Sequence, residues 1–336
     1  TNIAIGSASL HQNTTGTLNV AIGVSSLYAN TTAGNNTAVG FNTLNATTTG
    51  GSNTTVGKDS LKANTTGSSN NAVGVVALEA NTTGVGNVAM GNNALRANTT
   101  ASNNTGVGHI ALMDNTTGAS NTAVGASSLA NNTTGANNTA TGYQALLNNQ
   151  TAANNTGVGY IALKLNTTGT ANSAVGAYAF ANNTTGSHNT SMGVSSLQSN
   201  TTASHNTGFG KDTLVYNTTG ANNTAVGSTS LATNITGQRL TAVGKDALKL
   251  NTGSFNTAVG SFCLDANTTG AQNTAIGDYS LGGNTTGDFN TAMGQGGLLS
   301  NTTGQHNTAL GCNSLQSNTT ANDNTSGGYN SMLTNT

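Results

Sequence analysis

The sequence predicts an all-β fold, a parallel β-solenoid (β-roll) of 20 coils with 17 residues per coil. Three observations carry that expectation. A glycine recurs through the chain at Gly6, Gly23, Gly40, Gly57 and onward to Gly328, 20 copies in all. The interval is 17 residues every time except from Gly244 to Gly260, where it is 16. The composition is 54 Asn, 62 Thr and 45 Gly in 336 residues, with no Pro or Trp. A 17-residue unit is too short for a helix-pair repeat, and β-branched Thr and Val dominate over strong helix formers. Each unit reads as one coil with two short strands and glycine-bearing turns, advancing ~4.8 Å per coil.

The unit is N-T-A-V-G-x-x-S-L-x-x-N-T-T-G-x-x. The residue before the marker glycine is apolar almost throughout (Ile5, Ile22, Val39, Val56, Met90), with Thr141 and Gly327 as exceptions. The fourth residue after it is Leu in 18 copies, with Phe180 and Met332 in the others. These two columns are the expected core, with the Thr or Val two residues before the valine on the same inward side. The position between them is Ala, Gly, Ser or Thr in every copy, as at Ala21, Thr55, Gly106 and Ala123. Strand alternation then turns this small column outward, as an interface with another chain or the fold-back of a flattened coil. The short interval falls at Asn251-Thr252-Gly253, where one Thr of an N-T-T-G turn is missing and the strands on either side keep their register.

Two columns are asparagine. One runs Asn2, Asn19, Asn36 and onward, broken by Leu240; the other runs Asn13, Asn30, Asn64 and onward, broken by Thr47. Stacked identical amides bond from coil to coil as ladders, and asparagine tolerates turn conformations. The residue three after the second Asn is Gly or Ala, as a turn with a tight approach or a positive φ requires.

Composition excludes several functions. Only 5% of residues are charged and the net charge is −1, so neither nucleic acid nor an anionic membrane surface is an expected partner. No apolar run approaches the length of a membrane-spanning helix. Disorder typically brings Pro, Lys, Glu and high net charge, which are scarce. The chain reads as a single repeat domain, 1–336, with no composition shift or linker.

Chemistry-bearing residues are few. His188 and His205 share a column one coil apart and should stack; with His11, His109 and His306 they read as exposed turn residues. Lys58-Asp59, Lys211-Asp212 and Lys245-Asp246 read as exposed turn charges. Cys263 and Cys312 lie in different columns about three coils apart, too far for a disulfide. No catalytic, cofactor or metal set emerges, and the chain is not expected to be an enzyme. N-x-Thr sequons are abundant, and Asn13, Asn64, Asn81, Asn115, Asn183, Asn217, Asn267 and Asn301 are candidate N-glycosylation sites if the chain is exported.

The segments Asn2-Ile3-Ala4-Ile5-Gly6 and Asn19-Val20-Ala21-Ile22-Gly23 resemble the head repeats of trimeric autotransporter adhesins. The longer unit with its N-T-T-G insert resembles repeats of phage tail-fibre and bacterial surface-fibre proteins. The resemblance implies a left-handed parallel β-roll, often trimeric, on the outside of a cell or virion. The expected function is therefore an extracellular, cell-surface or virion-surface structural fibre segment, with adhesion to a host-surface glycan as a candidate added role. Its principal partner is itself, as a homo-oligomer or an end-to-end filament, because the chain opens and closes inside repeat units. Two alternatives are a carbohydrate- or cell-surface-binding module and an ice-binding solenoid presenting its regular threonines.

Overall fold

The computed structural model describes residues 1–333, and the twentieth second-ladder position, Asn335, lies outside them. The chain divides into two compact units, Thr1–Thr170 and Ala171–Thr336. Unit 1 holds ten parallel strands, from β1 (Ile3–Ile5) to β10 (Thr156–Val158). Unit 2 holds ten more, from β11 (Ser173–Val175) to β20 (Thr325–Gly327). Within each unit every strand pairs in parallel with the next in sequence, and equivalent repeat positions face each other. In unit 1, Thr122, Ala123 and Val124 pair with Thr139, Ala140 and Thr141. In unit 2 the 16-residue coil keeps this register, Thr241 pairing with Thr257. The missing turn residue is absorbed outside the strand.

Each coil contains one three-residue strand, where the sequence suggests two. The second straight segment is replaced by a turn in which the leucine itself adopts a left-handed conformation, φ 49° at Leu27 and at Leu129. That conformation costs a non-glycine residue ~1–2 kcal/mol. Burial of the leucine side chain, worth ~1.5–3 kcal/mol, offsets it. Backbone hydrogen bonding nevertheless continues beyond the strand: Leu27 N–H donates to Thr43 O (3.0 Å) and Gly23 N–H to Ile5 O (2.7 Å). The marker glycine is dictated by the same stacking. Gly125 has φ +129°, and a Cβ there would lie 2.6 Å from Gly142 O in the next coil.

The core differs from the sequence expectation in one respect that reorganises the molecule. The leucine column is inside as expected, with Leu129 0% exposed, but the strand faces the other way. Ala123 is 0% exposed and Val124 is 38% exposed. The small column therefore lies inside the coil and is not an inter-chain surface; the valine column and the Thr two residues before it lie outside. Cross-section is the reason. The interior of a regular coil already holds a leucine, a small residue beside it and two asparagines. At Gly157, which occupies the alanine position, even an added Cβ would come within 3.2 Å of Leu146 Cγ. The column admits one β-branched side chain, Thr55, whose hydroxyl is hydrogen-bonded to Thr43 Oγ1 and Thr37 O; a Val, Ile, Met or Phe at every coil would overpack the space that alanine already fills.

The residue preceding the leucine is a further core column. Ser26, Ser60, Thr43 and Ala77 in it are all fully buried. Ser26 Oγ donates to Ala38 O (3.0 Å) and Ser60 Oγ to Ala72 O (3.2 Å), tying this column to the carbonyls of the next strand.

Candidate functional site

The interior amides hold every surface in place. The two asparagine columns are ladders of different construction. In the first, each Oδ1 accepts the backbone N–H of the next asparagine, Asn36 N–H to Asn19 Oδ1 at 3.0 Å and Asn53 N–H to Asn36 Oδ1 at 2.9 Å. In the second, amide bonds amide: Asn81 Nδ2 donates to Asn64 Oδ1 (3.0 Å) and Asn98 Nδ2 to Asn81 Oδ1 (2.9 Å). Both converge on one carbonyl per coil. Gly84 O accepts Nδ2 of Asn70 (2.9 Å) and of Asn81 (3.2 Å). This explains the Gly or Ala three residues after the second asparagine. No positive φ occurs there; the position is tight, and a Cβ at Gly67 would lie 2.3 Å from Asn64 Oδ1.

The ladders also bear on the candidate glycosylation sites. Asn64, Asn81, Asn115, Asn183, Asn217, Asn267 and Asn301 are fully buried, and Asn13 is half-buried. Each commits its Nδ2, the atom that a glycan would occupy, to the carbonyl three residues on. In the folded coil that atom faces inward and has no room for a sugar.

The turn residues fall where the columns place them. His188 and His205 stack, ring centroids 5.1 Å apart and planes within 5°. Phe289 stacks on His306 (5.1 Å) and Tyr143 on Tyr160 (5.6 Å). Cys263 and Cys312 are free. Cys263 replaces the small residue before a leucine, and burial pushes its thiol up to about 12. Among the described residues no group of three or more His, Cys, Asp or Glu is placed to hold a metal ion. Among the same described residues no helix is long and apolar enough to cross a membrane.

Contrary to the expectation from the sequence, the Lys-Asp pairs are not exposed throughout. Lys58 and Lys245 are exposed, but Asp59 and Asp246 turn inward against the preceding coil. Asn42 Nδ2 donates to Asp59 Oδ1 (2.8 Å), and the Thr229 hydroxyl donates to Asp246. Burial works against the Asp246 charge. The Thr229 hydrogen bond and the nearby Lys249 and Lys245 ammonium groups outweigh it, holding the carboxyl below its ordinary value.

Two surfaces remain that the core does not use. The first is the outer face of the strands. In unit 1 it presents Val56, Val73, Met90 and Val124, in unit 2 Met192, Phe209, Ile276 and Met293, all exposed. A neighbouring rank, mostly threonine, runs beside these residues, and no position in either rank is charged. The sequence held a sign of this arrangement. The pre-glycine column ranges in size from Gly327 to Phe209, a spread that a close-packed interior does not tolerate. The second surface is the edge formed by the two threonines of the N-T-T-G turn. No protein-family description matches the chain, and no curated protein matches it either.

Proposed function

We propose that the chain is a structural, non-catalytic fibre segment, displayed outside a cell or on a virion, whose coils associate with further copies of the chain through the outer strand face. The observation that supports this reading is the rank of exposed apolar side chains in front of the marker glycines, exemplified by Val73, Met90 and Val124 in unit 1. Soluble single chains rarely leave a contiguous apolar patch of more than a few hundred Å² in water. Covering such a patch is a hydrophobic gain proportional to its area. A parallel sheet with coil-by-coil repetition suits side-by-side packing, because one contact geometry repeats at every coil. The resemblance to adhesin heads and tail-fibre repeats favours the same reading.

Glycan recognition is the competing reading, and light scattering separates the two. The parent chain is expected to be an oligomer at micromolar concentration. A variant carrying Val73→Lys, Met90→Lys and Val124→Lys is expected to be a folded chain of lower mass. A monomeric parent that binds a glycan array would overturn the proposal.

A further inference from the structure

The N-T-T-G turn contains a residue that the fold does not require. Its asparagine builds the second ladder. Its first threonine donates its hydroxyl to the next coil, Thr82 Oγ1 to Thr99 O at 3.1 Å and Thr99 Oγ1 to Thr116 O at 3.2 Å. Its glycine or alanine lies against the asparagine amides. The second threonine does none of these things. Thr66, Thr83, Thr100 and Thr117 are exposed, and their hydroxyls have no hydrogen-bond partner among the described residues. Yet this position is Thr in all ten coils of unit 1, and in unit 2 in every described coil whose turn keeps its full length. An exposed column nearby varies freely: three residues further on stand Asn35, Ser69, His188 and Phe289. Copies have therefore diverged around this threonine without changing it.

The backbone beneath it is also unusually fixed. In each regular coil the asparagine Nδ2 holds the carbonyl at the far end of the turn and the ladder amide of the neighbouring coil. The first threonine adds a third side-chain bond to the coil that follows. The result is a rank of methyl and hydroxyl groups set at the coil spacing of ~4.8 Å. No residue of either threonine column is charged. A discrete ligand would need a few copies; an identical group on every coil suits a partner that itself repeats, and the apolar side chains that a second copy of the chain would cover lie on the strand face, not on this edge. A rank on so fixed a backbone gains most from such a ligand, since little loop ordering remains to oppose binding.

We propose that this threonine rank binds ice, its hydroxyls and methyls anchoring water in the arrangement of the solid. The proposal is independent of self-association through the strand face, which uses other residues.

The test is arrest of ice recrystallisation by the full chain, with intact mass and light scattering measured on the same sample. The parent is expected to keep ice grains small, at a mass equal to that of the sequence. Thr66→Lys, Thr83→Lys, Thr100→Lys and Thr117→Lys in combination should abolish the effect with the circular dichroism and oligomeric mass unchanged. Lysines placed on a different turn, by Val24→Lys, Val75→Lys and Ala126→Lys, should leave it intact, since Lys58 and Lys211 already occupy that column. A parent without activity, equal loss in both variants, or native material whose mass shows sugar on these threonines would overturn the proposal. An unaltered oligomer with no ice activity would overturn this proposal alone and leave the fibre reading standing.

Discussion

Asn30 Oδ1 has no hydrogen-bond partner, because the residue above it in the second ladder is Thr47. Elsewhere that place holds an asparagine whose Nδ2 reaches down, as Asn81 reaches Asn64. The Thr47 hydroxyl instead receives Asn64 Nδ2 at 3.3 Å. A buried carbonyl without a donor costs ~1–3 kcal/mol. Thr47→Asn should restore the ladder and raise stability by about 1 kcal/mol in urea unfolding. No gain, or a loss, would mean that the coil has closed around the smaller residue.

Asn234 Oδ1 is orphaned for a related reason. Asn251, in the shortened turn, sends its Nδ2 to Gly253 O (2.7 Å). Leu240 removes an amide from the other ladder in the coil between them. Both ladders are therefore interrupted within one stretch of unit 2. Amide hydrogen exchange should be faster across residues 234–256 than in the coils on either side of that stretch within unit 2. Uniform protection would show that the interruptions carry no local cost.

Cys263 should resist alkylation. Its thiol is buried, bonded to Ala275 O (3.2 Å) and pushed up to about 12, so almost no thiolate forms near neutral pH. Iodoacetamide at pH 8 should modify the half-buried Cys312 first and reach Cys263 only after denaturant is added. Equal rates in the native protein would contradict this burial.

Asp246 should contribute a small acid-sensitive stability. Its folded value lies below the ordinary carboxylate value, so the unfolded chain binds the proton more readily. The contribution is complete above the unfolded value of ~3.9 and is lost as pH falls through the lower, folded one. Asp246→Asn should cost about 1 kcal/mol at pH 7, with the difference from the parent shrinking below pH 4. A pH-independent difference would assign the effect to shape and not to charge.

Much of the fold was legible in the sequence because a repeat multiplies weak signals. The marker glycine, the leucine column, the two asparagine ladders and the stacking of His188 on His205 all follow from column position. The inward face of the strand was not. A three-residue strand gives alternation only one comparison, and Val124 is more apolar than Ala123. Hydrophobicity points the valine inward, while volume points the alanine inward. In a coil whose interior is already filled by a leucine and two asparagines, volume decides. The small residue before each leucine and the inward turn of Asp59 and Asp246 were hidden for the same reason. Both depend on the left-handed turn around the leucine, which no residue-type preference announces. The exposed apolar face emerges only once the strand is turned.

The strand orientation therefore tests the account most directly, through the unfolding midpoints of Ala123→Lys and Val124→Lys. Lysine at position 123 would place a charge among Leu129 and the buried amides and should destabilise the coil by several kcal/mol. Lysine at position 124 would point into solvent or into the contact between copies, and the isolated chain should keep its midpoint within ~0.5 kcal/mol of the parent. The opposite order, with Val124→Lys unfolding the coil and Ala123→Lys tolerated, would contradict the core arrangement and the association face that depends on it.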